Sequence, residues 1–155
     1  MTDLAGYRPN VVVALFHPDG KVWFGRRSGA EPPHNWQFPQ GGVDPGEELE
    51  VAARRELAEE TGAVSVTYLG RTDGWITYDF PPELAARGRG FKGQRQVWFA
   101  FRFDGDETEF DLTTHGEPEF DEWRWGRLAE APGLIVPFKR AAYELVVKAF
   151  AAFAT

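Results

Sequence analysis

The sequence predicts an α+β fold, and three observations carry that prediction. A continuous apolar run, Val11–Phe16, reads as a buried strand. A stretch of good helix formers begins near Glu47 and stops at Gly62, placed as a C′ glycine would be. A second helical stretch follows Pro137 near the end of the chain. Strands lie on both sides of the first helix, which implies α+β.

Taken in order, Val11–Phe16 meets a turn at Pro18-Asp19-Gly20 and returns as Lys21–Arg27, a hairpin. Ser28–Asn35 is a loop rich in glycine and proline. Trp36–Gln40 is a short extended piece that delivers the chain to Gly41-Gly42, where glycine lets backbone approach substrate or metal closely. After the first helix, Val64–Arg71 and Trp75–Phe80 read as strands. Pro81–Gly93 is an irregular insertion with a helical turn at Glu83–Arg87. Gln96–Phe103 is the strongest strand after the first. Asp104–Pro118 is an acidic loop, and Phe120–Trp125 alternates as a half-buried strand does. In the last helix, Phe138, Ala142, Leu145, Val146, Ala149, Phe150 and Phe153 recur at three- and four-residue intervals and predict one apolar face.

A length of 155 residues suits one domain, expected to run from 1 to 155, with a sizeable core. The absence of cysteine excludes disulfides, thiolate metal sites and a thiol nucleophile, and fits a reducing cytoplasm. No apolar run reaches membrane-spanning length, so no membrane partner is expected. A net charge of −7 argues against general coating of nucleic acid, and no DNA partner is expected; binding a nucleotide or an RNA end stays open.

The informative stretch is Gly41–Ala63. Asp44-Pro45-Gly46 turns the chain, and acidic residues at 47, 48 and 50 sit where the helix dipole favours them. Ala52, Glu56, Glu59 and Glu60 share one helix face, which stacks three carboxylates on adjacent turns. Such charges repel, so something must compensate them. A solvated acidic face would do so. So would a divalent cation, which takes oxygen ligands and bridges to phosphates. Spacing alone leaves both open.

The full pattern resembles the Nudix box. Gly41 is followed after five residues by Glu47, and after seven more by Arg55-Glu56-Leu57-Ala58-Glu59-Glu60-Thr61-Gly62-Ala63. Only Ala63 departs from it, in a packing slot where a bulkier aliphatic is usual. The resemblance implies a Nudix fold, an α/β/α sandwich around a mixed curved sheet. It also implies an enzyme that cleaves pyrophosphate bonds with Mg²⁺, for which Mn²⁺ can substitute.

The flanking segments narrow the likeness. Tyr7–Val11, Trp36–Gly42, Gly93–Phe99, Glu119–Trp125 and Val136–Arg140 are similar to the bacterial RNA pyrophosphohydrolases, which grade into the diadenosine-tetraphosphate hydrolases. The resemblance implies two substrates, the 5′-triphosphate end of RNA first and a dinucleoside polyphosphate as the alternative. It makes Glu56, Glu59, Glu60 and Glu119 metal ligands, with Gly41 as a backbone member. Glu56, Glu60 and Glu119 are the catalytic candidates, and the general base is Glu56 or Glu119. Arg8, Arg27 and Lys139 match positions that contact the triphosphate, and Gln96, Val136 and Phe138 match positions near the terminal bases. Arg55 reads as structural, an ion pair holding the acidic face, and Glu47 supports it. Intact Glu56, Glu59 and Glu60 argue against a binding module that has lost catalysis.

Leu84–Gln96 is the one basic run of the chain, with Arg87, Arg89, Lys92 and Arg95 and no acidic residue. It is either a solvated loop or a tether for polyanionic substrate beyond the reacting phosphates.

Overall fold

Strand β1 (Tyr7–Phe16) is the axis of the sheet. Its apolar run is buried on both faces, as expected of a central strand in a sheet covered on both sides. Val12, Ala14 and Phe16 enter one core, and Val11, Val13 and Leu15 enter the other. The computed structural model describes residues 4–85, 90–113 and 116–155.

Parallel to β1 runs β7 (Gly93–Phe103), in register from Tyr7 opposite Gly93 to Phe16 opposite Arg102. The other flank is antiparallel. The hairpin expected from the Pro18-Asp19-Gly20 turn closes β1 onto β2 (Val22–Arg27) with Phe16 opposite Val22. Two short strands, β3 (Trp36–Gln37) and β4 (Gln40–Gly42), follow the loop; β3 pairs with β2 and β4 with β1. Beyond the box helix, β5 (Val66–Arg71) and β6 (Ile76–Asp79) both pair antiparallel with β7. Finally β8 (Phe120–Gly126) pairs with β2. The described residues thus form one mixed eight-stranded sheet.

Helix α1 (Leu49–Thr61) covers one face through Ala52, Ala53, Leu57 and Thr61, its small alanines allowing close approach. Gly62 ends it at φ 84, and its N–H donates to the Ala58 carbonyl. This left-handed cap strains any residue with a Cβ. The insertion holds the short α2 (Pro82–Ala85), and the rest of the helical turn expected at Glu83–Arg87 lies outside the described residues. A short α3 (Ala131–Leu134) and then α4 (Arg140–Ala149) cover the opposite face. The two covered faces are the α/β/α layering that the box implies.

The last helix differs from its expected form. Pro137–Lys139 is a separate 3-10 turn, so α4 starts only at Arg140. Its buried residues are Ala142, Tyr143 and Val146, followed by Phe150, whereas Leu145 is 55% exposed and Ala149 is exposed. The physical reason is Tyr143. Its ring wedges between Trp98 and Phe38, and its hydroxyl accepts from the Phe38 N–H, which rotates the helix about that contact.

A glycine sets the seam between β2 and β8. A Cβ at Gly25 would sit 2.6 Å from the Phe120 ring, which is fully buried beside Trp23. Gly25→Ala should therefore lower stability by about 1–3 kcal/mol through overpacking. Its urea midpoint would fall at unchanged slope, and an unchanged midpoint would show that the seam has room.

Candidate active site

The site forms where α1 crosses β4. Arg55 organises it. Its Nε and Nη2 donate to the two Glu47 carboxylate oxygens at 2.8 and 2.9 Å, and Nη2 also donates to the Gly42 carbonyl at 2.9 Å. Its Nη1 reaches Glu56 at 2.8 Å and Glu59 at 3.3 Å. Glu47, 12% exposed, is held down at a pKa of about 2 by this bidentate bond and by the Asp44 N–H. The structural role expected of Arg55, and the support from Glu47, are both present.

Gly41 lies directly against Glu56; a Cβ there would stand 2.0 Å from the Glu56 carboxyl carbon. Glu60 is tied to the same strand, its Oε2 accepting from the Gln40 N–H at 3.0 Å. Burial, then the carboxylates of Glu56 and Glu119, push the Glu60 pKa up to about 9. Burial also raises Glu56, against the pull of Arg55.

Glu56, Glu59, Glu60 and Glu119 line one cavity of about 180 Å³, together with Leu112, Glu117 and Pro118. An adjoining cavity of about 260 Å³ is lined by Arg27, Ser28, Glu117, Pro118 and Glu119. Glu119 therefore stands between the carboxylates and a cation, its Oε1 3.9 Å from Arg27 Nε. A register shift between Arg26 and Arg27 in the β2–β8 pair helps to place this contact.

The remaining candidates lie toward the α4 face. Lys139 is buried, and its Nζ donates to Gln40 Oε1 at 3.4 Å. Burial, and then Arg27, lower its pKa to about 8. Its ammonium lies 5.8 Å from the centre of the Tyr78 ring, against which Phe138 also packs at 5.7 Å. Phe138 and Val136 are partly buried at the edge of this core. Arg8 is exposed, and a Cβ at Gly42 would come within 2.6 Å of its Nη2.

Gln96 differs from expectation. It is 1% exposed and its amide is fully engaged. Its Nε2 donates to Asn10 Oδ1 at 3.0 Å and to Gln94 Oε1 at 3.3 Å, while its Oε1 accepts from Trp98 Nε1 at 3.0 Å. It stands one layer behind the surface, in a network that continues through Gln94 to the Tyr78 hydroxyl. Two residues escaped the sequence reading. Gln40 touches both Glu60 and Lys139, and its only signal was its place before the glycine pair. Tyr78 supports Lys139 and Phe138, and nothing local distinguishes it from a core aromatic.

The NUDIX domain matches residues 6–146. The chain belongs to the Nudix family. Its relatives in that family include the RNA pyrophosphohydrolase of Caulobacter vibrioides (strain NA1000 / CB15N). That protein is 68% identical over 151 residues, covering 96% of this chain and 88% of the relative. The RNA pyrophosphohydrolase of Acidiphilium cryptum (strain JF-5) is 48% identical over 151 residues, covering 96% and 92%. Among solved structures, the E. coli dihydroneopterin triphosphate pyrophosphohydrolase superposes with a TM-score of 0.69 at 22% identity, covering 91% of this chain and 97% of that one. The C. elegans Ap4A hydrolase gives 0.62 at 21%, covering 96% and 99%. Identities this low show the Nudix fold alone. As a Nudix hydrolase, the chain is an enzyme that cleaves pyrophosphate bonds.

Nudix hydrolases require a divalent cation, and the donor set here fits one. Its atoms are carboxylate oxygens, the kind that hard cations take. Glu56 and Glu60 have raised proton affinity, which a bound cation would relieve, and Gly41 leaves the Glu56 carboxyl open to the strand. The side chains line one cavity without converging, and no group of three acidic or histidine residues is gathered as a ligand set among the described residues.

The cation-free protein should show the strain in Glu60. A carboxyl whose folded pKa of about 9 exceeds its unfolded value contributes stability below about pH 4.5, and loses it as pH rises through 9. In EDTA, Glu60→Gln should thus melt above wild type by about 2–4 °C at pH 9, with the gap shrinking toward pH 5. A pH-independent gap would remove Glu60 as the strained group.

Proposed function

We propose that this Nudix enzyme acts at the 5′-triphosphate end of RNA, releasing pyrophosphate and leaving a 5′-monophosphate, with Mg²⁺ as its cation. Residues 1–155 serve as one domain, and the substrate places the work in the cytoplasm. One observation supports this most directly. The cavity lined by Glu56, Glu59, Glu60 and Glu119 adjoins one lined by Arg27, and Glu119 belongs to both. Carboxylates for a cation thus adjoin a guanidinium for phosphate. The relatives named RNA pyrophosphohydrolase, at 68% and 48% identity, favour RNA as the polyphosphate carrier.

Glu56, Glu59, Glu60 and Glu119, with Gly41, would hold the cation. When bound, it supplies positive charge against the phosphates and lowers the pKa of water at the site. Arg27, Arg8 and Lys139 bind the triphosphate; Arg suits bidentate phosphate contacts, and Lys139 adds a point charge from below. Glu119 is the general base. It lies between the carboxylates and Arg27 and takes the proton of the attacking water on its carboxylate. The bond between the first and second phosphate breaks, and pyrophosphate leaves. Val136 and Phe138 meet the terminal bases. Gln96 acts through Gln94 and Tyr78 rather than by direct contact.

The test compares triphosphorylated RNA with diadenosine tetraphosphate at equal concentration in Mg²⁺. The RNA should give the higher kcat/KM, EDTA should stop both reactions, and Glu56→Gln or Glu60→Gln should lower turnover at least about 100-fold while the protein stays folded. Higher kcat/KM on diadenosine tetraphosphate would make dinucleoside polyphosphates the substrate. Near-full activity of either variant would remove that residue from the cation site.

A further inference from the structure

Resting on the RNA reading above, we propose that the ends of β1, β6 and β7 form a single-stranded RNA track, in which Lys92 and Arg95 take phosphates downstream of the reacting end. In a chain of net charge −7, most described arginines are neutralised by carboxylates: Arg26 by Asp121 and Glu122, Arg54 by Glu50, Arg55 by Glu47, and Arg102 by Asp104. Among the described residues neither Lys92 nor Arg95 has such a partner. Each is seated on an aromatic ring instead. Lys92 Nζ lies 4.8 Å from the Tyr7 ring centre, and its stem rests on Gly6, where a Cβ would stand 3.1 Å from its Cε. Arg95 Cζ lies 4.6 Å from the Trp75 ring centre, and its Nε is buried without a hydrogen-bond partner.

A ring orders a cation without cancelling its charge, so the ammonium and guanidinium remain available to phosphate. The adjacent carboxylate, Asp79, is engaged by the Tyr7 hydroxyl at 2.6 Å and forms no ion pair with Lys92. By contrast, Arg54 and Arg71 also stack on rings but share Glu50, which removes them as a phosphate surface.

The register connects this surface to the active site. Tyr7, Arg8 and Pro9 lie opposite Gly93, Gln94 and Arg95, on strands roughly 4.8 Å apart. Pro9, opposite Arg95, accepts from the Val43 N–H just after β4. By strand alternation Tyr7 and Arg95 share the α1 face of the sheet with the carboxylates, whereas Arg8 lies on the other face. The surface of Lys92 and Arg95 thus borders the carboxylate side of the sheet at the strand ends, with Tyr7 and Trp75 as flanking rings. Arg87 and Arg89 of the basic run lie outside the described residues and carry no part here. A dinucleotide has no phosphates long enough to follow this surface, whereas an RNA chain does.

The experiment uses Lys92→Gln/Arg95→Gln, with a 5′-triphosphorylated 20-mer and a 5′-triphosphorylated dinucleotide as substrates. On the 20-mer, kcat/KM should fall about tenfold, and the slope of log(kcat/KM) against log[salt] should flatten by about 1.4, two single-strand contacts' worth. The dinucleotide reaction should be unchanged. Because Arg95 packs on Trp75, the single Lys92→Gln variant is measured as well; its side chain is exposed, and about half of the slope change should remain. Equal loss on both substrates, or none on the 20-mer, overturns the track. A wild-type protein that hydrolyses neither RNA overturns the RNA reading itself, and is told apart because it precedes any substitution.

Discussion

The structure depends on one guanidinium. Arg55 joins the carboxylates of Glu47, Glu56 and Glu59 to the Gly42 carbonyl, tying helix α1 to strand β4. Without it, like charges on successive turns would repel, by about 0.2–0.5 kcal/mol per pair on an exposed helix and by more where water is excluded. The planar fork of arginine reaches several acceptors at once, which a lysine in its place could not do. The same atoms that stabilise the fold hold the acidic face beside Gly41.

Strand β4 is shared by the two halves of the site because successive residues of a strand face opposite ways. A Cβ on Gly41 would strike Glu56, and one on Gly42 would strike Arg8. The glycine pair thus lets carboxylates approach from the α1 side and a phosphate-binding cation from the other. Gln40, one residue earlier, joins the halves again by touching Glu60 with its backbone and Lys139 with its side chain.

The shared face of Glu56, Glu59 and Glu60 was legible in the sequence because spacing along a helix encodes a face, whereas the α/β/α layering and the cation came only from the likeness to the Nudix box. Gln96 was not legible in the same way. Its role turns on hydrogen bonds to Asn10, Gln94 and Trp98, and the link to Asn10 spans 86 positions. The last helix failed for a similar reason. Leu145 and Ala149 fit a helical stripe as well as Tyr143 does, and only the pocket between Trp98 and Phe38 decides which side is buried. Lys92 and Arg95 were visible as a basic run, but the rings that order them come from β1 and from Trp75, just before β6.

The most direct test of Arg55 as the organising group is the melting temperature of Arg55→Gln against wild type, each in EDTA and in saturating Mg²⁺. The expected result in EDTA is a loss of about 1.5–3 kcal/mol, the scale of a charged hydrogen-bond set left unpaired, with part of it recovered by Mg²⁺ as the cation neutralises the same carboxylates. Equal melting of the two proteins in EDTA would contradict it, and would mean that the acidic face holds its place without the guanidinium.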